Sequence, residues 1–129
     1  MTTITPIFTG VAAHIGSYAD AVVVSGDSTL IFVSGTPGVR EDGTVPEDFT
    51  DEARQCWANV ETALGMAGAK LSDVVYMRQW VTSRDHASAY LAVSKEVIRH
   101  QPAAMFTIID GLVWPNIRVE VEVTAVLPA

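Results

Sequence analysis

Residues 50–67 read TDEARQCWANVETALGMA, and this stretch decides the fold. Ala53, Trp57, Val60, Leu64 and Ala67 recur at helical spacing, so they draw one apolar stripe down one face of an α-helix. Thr50 or Asp48 can cap its N-terminus, Asp51 and Glu52 place acid in its first turn, and Gly68 stops it. A helix with a single apolar stripe must lay that stripe on another layer, and the flanking sequence supplies strands.

On the N-terminal side, Ile4 to Phe8 is a short apolar run. Its Pro6 suits an edge strand, because proline cannot donate to a central ladder. Ala21 to Val24 and Leu30 to Ser34 are β-rich runs separated by Ser25-Gly26-Asp27-Ser28, a pattern that reads as a hairpin. Gly35 to Asp48 carries Pro37, Gly38, Gly43 and Pro46 and reads as a loop.

On the C-terminal side, Val74 to Thr82 is a strand. A second helix runs from a cap at Asp85 to about Arg99, and Pro102 closes that region. Ala103 to Ile109 and Ile117 to Val126 are two further strands. The last puts Val119, Val121 and Val123 on one face and Glu120, Glu122 and Thr124 on the other.

The order β-β-β-α-β-α-β-β predicts a single α+β domain over residues 1–129, with a six-stranded sheet and two helices on one face. The face left uncovered carries the paired Glu120 and Glu122, so it is expected to meet a symmetry mate across a partly polar seam.

Composition narrows the partners. The 129 residues are 49% hydrophobic and 18% charged, a small share of charge with which to cover a surface alone. Eight basic residues against 15 acidic ones give a formal net charge of −7. Nucleic-acid binding leaves a basic footprint, and none is visible here. No run of four or more Lys/Arg offers a polybasic membrane contact.

The single cysteine, Cys56, excludes an intrachain disulfide, and no Cys/His cluster has zinc spacing. The opening MTTITPIFTG has no basic, apolar leader pattern, and no segment approaches the roughly 20 apolar residues that cross a bilayer. The expectation is a cytoplasmic protein with no nucleic-acid or membrane partner and no metal.

Five segments, taken together, resemble a known family. They are Ile15-Gly16-Ser17-Tyr18-Ala19-Asp20-Ala21-Val22; Ile31-Phe32-Val33-Ser34-Gly35; Asp51-Glu52-Ala53-Arg54-Gln55 running on to Asn59-Val60; Ala67-Gly68 followed by Ser72-Asp73-Val74-Val75; and Arg118-Val119-Glu120-Val121-Glu122 running on to Ala125-Val126. Each alone is weak, but in this order they cover nearly the whole chain and resemble the RidA family, the YjgF-like reactive intermediate deaminases.

The resemblance implies a chorismate-mutase-like α+β fold with a mixed sheet. It also implies a homotrimer with a small-molecule cleft at each subunit interface. An active cleft of the family hydrolyses enamines and imines to a keto acid and ammonia, without metal or organic cofactor.

By position, Tyr18, Ser34 with Gly35, and Glu120 match the family's cleft. A phenol can close over a ligand, a strand-end Ser-Gly leaves backbone approachable, and a carboxylate can orient a water and move its proton. The departure is Ala104. It stands two residues after Pro102, where family deaminases carry the arginine that grips the substrate carboxylate. Another cleft position on the second helix, usually Asn, falls at or near Tyr90. Phe106 and Met105 make the region apolar, which points to a less acidic ligand or to none.

Other residues carry open alternatives. Tyr76, Arg78 and Trp80 share a strand face. Arg78 either replaces the missing guanidinium or, the preferred reading, pairs with Glu120 or Glu122 on an adjacent strand. Glu120 is either a water-handling carboxylate or part of a paired interfacial face. Trp114, in a hairpin-like connection, either walls the cleft with a flat face or plugs an interface. Tyr18 is either a cleft lid or a packing residue. Cys56 reads as a small core residue, and His14, His86 and His100 as structural or solvent-facing.

The functional expectation is a cofactor-independent hydrolase or deaminase acting on C–N bonds of a nitrogen-containing metabolite. A non-catalytic ligand-binding or protein-interaction trimer is the alternative. Ribonuclease action, an older label of the family, is disfavoured by the acidic balance.

Overall fold

The apolar stripe forms helix α1 (Phe49–Met66) in the computed structural model, which describes residues 1–128. Asp48 is the cap, its carboxylate accepting from the Asp51 N–H at 3.1 Å. At the far end Gly68 takes φ +84°, and Ala69 N–H donates to the Leu64 carbonyl at 2.8 Å, the crossed closure that left-handed glycine permits. Ala53, Cys56, Trp57, Val60 and Leu64 are buried along the predicted face.

The other elements are strands β1 (Thr3–Ile7), β2 (Ala21–Ser25), β3 (Ser28–Pro37), β4 (Val74–Val81), β5 (Ala103–Ile108) and β6 (Val119–Pro128), and helix α2 (Ala87–Val97). The architecture is α+β in the expected order. A short 3-10 turn at Arg84–His86 precedes α2. Its capping oxygen is Ser83 Oγ, which accepts from Asp85 N–H at 3.1 Å, so Asp85 does not cap the helix as expected.

The single six-stranded sheet is corrected to two sheets. Four strands run in the order β3-β6-β4-β5, with β4 and β5 parallel and the other pairs antiparallel. β1 and β2 form a separate antiparallel ribbon, from Thr3 opposite Ser25 to Ile7 opposite Ala21. The expected β2–β3 hairpin is therefore not a paired one.

The connected end of the ribbon is tied elsewhere. Asp20 accepts from the N–H groups of Thr9 and Ala12 at 2.8 and 2.9 Å. Ala19 N–H donates to the Pro102 carbonyl at 3.0 Å, and Ala19 bridges Ala103 in parallel. The Ala19 contacts dock the ribbon beside β5 instead of along β3, while Asp20 ties down the connection between β1 and β2.

Both helices lie on one side of the four-stranded sheet. Val75, Met77, Gln79 and Val81 of β4 and Val119, Val121 and Val123 of β6 are buried there. The alternate residues Tyr76, Arg78 and Trp80 and Glu120, Glu122 and Thr124 stand on the opposite, more open face.

Candidate functional site

The residues singled out in the sequence divide between the two faces of this sheet. On the open face, Trp80 lies opposite Glu120, and Arg78 lies opposite Glu122. Arg78 Nη1 donates to Glu122 Oε1 at 3.2 Å, and its guanidinium lies 5.1 Å from the centre of the Trp80 ring. Arg78 thus pairs across the strands, as in the preferred reading.

Beside this pair β3 is bulged. Val33 faces Val123 and Thr36 faces Val121, so Ser34 and Gly35 together oppose the single residue Glu122. Gly35 turns its hydrogen toward the Glu120 carboxyl, and a Cβ there would lie 2.9 Å from Oε2. Burial, and then the neighbouring Glu122 charge, hold the Glu120 pKa above the ordinary carboxylate value. Among the described residues no cation pairs with Glu120. Phe32, 74% exposed, Ser34, Glu122 and Thr124 frame a shallow depression alongside.

On the helix side lies a larger cleft of about 1200 Å³ between the β1–β2 ribbon and the α2/β5 edge. Tyr18, Ala104 and Phe106 line it. Ala104 and Phe106 face this way because they sit opposite Met77 and Gln79 in the β4–β5 ladder. Arg78 sits opposite Met105, so its side chain leaves from the other face and does not reach the Ala104 position within one chain.

Behind Phe106 lies a polar cluster. Gln79 Nε2 donates to the Met105 carbonyl at 3.1 Å, and its Oε1 accepts from the Tyr90 hydroxyl and from Ser94 Oγ. Tyr90 is wholly buried, its ring 5.1 Å from that of Phe106, so it supports the cleft wall from behind. Burial pushes its phenol well above the usual range.

Trp114 stands outside both regions, on the connection between β5 and β6, 48% exposed. Cys56 is buried, its thiol donating to the Thr36 carbonyl at 2.9 Å, and burial raises its pKa far from thiolate chemistry. His86 stacks on Phe49 at 4.1 Å, and His100 Nε2 lies 2.7 Å from the Val74 carbonyl. Among the described residues no group of three or more His, Cys, Asp or Glu could hold a metal ion. No described helix is long and apolar enough to cross a membrane.

Gln79 escaped the sequence reading although its signal was present. It is the one polar residue at a buried position of β4, among Val75, Met77 and Val81. Glu52 escaped because an acid in a first turn is ordinarily a solvated partner of the helix dipole, whereas this one is buried against Arg118.

Comparison with known proteins agrees with the fold. The profile of the family described as Endoribonuclease L-PSP matches residues 9–127. The Escherichia coli RutC family protein YjgH is 31% identical over 110 residues, 84% of this chain and 82% of its own. A protein of Dermatophagoides farinae named 2-iminobutanoate/2-iminopropanoate deaminase is 31% identical over 115 residues, 88% of each chain. Among solved structures, the Rid-family protein YyfB from Yersinia pestis superposes with a TM-score of 0.80 at 26% identity, covering 98% of both chains. A Mycobacterium tuberculosis member of the YjgF/YER057c/UK114 family gives 0.67 at 28% identity, covering 97% of this chain and 100% of its own.

Proposed function

The chain belongs to the Endoribonuclease L-PSP family, the RidA/YjgF-like proteins, and from that premise we propose that it works as a homotrimer with small-molecule clefts between subunits. Each cleft hydrolyses or binds an enamine- or imine-like metabolite. One observation carries this reading. The family's cleft positions fall on opposite faces of one sheet, Tyr18 and Ala104 in the helix-side cleft and Glu120 with Ser34 and Gly35 on the open face. A neighbouring copy, presenting its open face, joins the two halves.

In the joined site the Tyr18 hydroxyl holds the ligand and Glu120 handles water. A carboxyl whose pKa is held up by burial is suited to accept a proton from water as that water adds to the C=N carbon. Collapse of the adduct expels ammonia and leaves a keto product, one water consumed for each ammonia released. The name of the dust-mite relative supports this chemistry. With Ala104 in place of the arginine, a small imino acid loses its main orienting contact, so the preferred substrate is bulkier and more apolar.

The test is keto-acid release from imines generated in situ by an amino-acid oxidase, wild type beside Ala104→Arg. Wild type is expected to accelerate hydrolysis of imines from leucine and phenylalanine over that from alanine, and the variant to gain on alanine. Silence of wild type on every imine, with ligand binding retained, would replace this reading with the non-catalytic binding trimer.

A further inference from the structure

The helix-side cleft is charged in one sense only. Within one chain Lys95 and Arg99 line it, with His100, and no Asp or Glu does, although the chain carries a net charge of −7; the carboxylate of the joined site, Glu120, comes from the neighbouring copy and sits on its open face. Neither Lys95 nor Arg99 forms an ion pair among the described residues, while the neighbouring Glu96 is turned away into its pair with Arg54 at 3.1 Å. The Arg99 fastening is a long Nε donation to the Glu96 carbonyl at 3.4 Å, and Lys95 has no hydrogen-bond partner among the described residues.

Below this cationic edge the walls are apolar and partly aromatic: Phe8, Ile15, Tyr18, Leu91 and Phe106. In the single chain the cleft measures about 1200 Å³, and the neighbouring copy's face takes up part of it in the joined site. Exposed cations above a low-dielectric wall attract an anion whose body replaces water on that wall.

We propose that this cleft binds an apolar aromatic monoanion, its charge held by Lys95 and Arg99 and its body against Phe8, Tyr18 and Phe106. The inference deepens the cleft reading above by naming its ligand class. It moves the anion anchor from the strand position now occupied by Ala104 to the end of α2.

The probe is anilinonaphthalene sulfonate, compared with N-phenylnaphthylamine, which has the same rings without the anionic group. Both are titrated by fluorescence into the full chain at low salt. The sulfonate is expected to bind about tenfold more tightly than the neutral dye. A Lys95→Gln/Arg99→Gln variant, altered only at exposed side chains, should erase that difference and keep the neutral dye's affinity. Ala104→Trp, which fills the wall, should weaken both dyes.

Equal affinities of the two dyes for wild type, or an unchanged sulfonate affinity in the double variant, would overturn the anion anchor. Dye binding indifferent to Ala104→Trp would place the dye elsewhere and overturn the site. Because the readout is binding, absence of imine turnover together with the expected dye pattern would remove the catalytic reading and leave this one standing.

Discussion

The Glu52 carboxylate, with none of its surface in solvent, accepts from both the backbone N–H and the Nε of Arg118, each at 2.7 Å. Arg118 Nη2 also donates to the Pro46 and Glu47 carbonyls, and its guanidinium lies 5.7 Å from the Phe49 ring. One ion pair therefore clamps the first turn of α1, the loop before it and the start of β6, two residues from Glu120. Removing one partner leaves a charge buried and unpaired. Arg118→Ala, which strands the wholly buried Glu52 carboxylate, is expected to cost about 3–5 kcal/mol in urea denaturation, and Glu52→Ala to cost less because the Arg118 guanidinium left behind is partly exposed.

Two glycines separate stability from site geometry. A Cβ on Gly38 would lie 2.2 Å from the Glu52 carbonyl oxygen, which is backbone and cannot yield. Gly38→Ala should therefore lower stability by on the order of 2 kcal/mol or more, read as a marked drop in Tm. A Cβ on Gly35 meets instead the far end of the Glu120 side chain, which can swing away. Gly35→Ala should leave Tm within a few degrees of wild type while depressing imine turnover. A large Tm loss in that variant would show that the bulge itself, not the carboxylate, needs the glycine.

Gln79→Leu tests the polar cluster behind the cleft. The substitution removes the partner of the part-buried Met105 carbonyl and of the buried Tyr90 hydroxyl. Loss of about 1–3 kcal/mol is expected in chemical denaturation. Adding Tyr90→Phe should recover part of that loss, because the orphaned hydroxyl then disappears.

Glu120 gives stability a pH dependence of definite sign. Its pKa is higher in the folded chain than in the unfolded one, so the native state holds the proton more tightly. As pH rises from the ordinary carboxylate value through the raised one, this group lowers stability, and the loss persists above that window. Glu120→Gln removes the penalty. The variant should melt slightly higher than wild type at neutral pH and together with it in acid, below both values. Solvent screening at this partly exposed site keeps the gain below about 1 kcal/mol. Parallel thermal melts at the two pH values decide it.

Much of the fold was legible because period and burial agree. The α1 stripe and the β6 alternation each present apolar groups at a spacing that only one backbone geometry aligns, and both elements formed, although Ala67 falls exposed beyond the end of α1 and β6 runs two residues later at each end than read. The ribbon was misread for the opposite reason. Ser25 to Ser28 looks like a hairpin turn locally, but which strand β2 lies beside is settled by Ala19 and Asp20 bonding to groups distant from that turn.

What the sequence by itself determined is the element order, the α+β class and the face of β4 and β6 that enters the core, which depend on residue type and local period; that Ala104 stands at an arginine position is what the family resemblance implies. What only the tertiary structure decided is the partition of Tyr18, Ala104 and Phe106 from Glu120, Ser34 and Gly35 onto opposite sides of one sheet. It also decided the choice of Glu122 as the partner of Arg78 and the burial of Glu52 on Arg118. The physical reason is that a side chain's face follows from strand register, and register is set by pairings between residues far apart in the chain.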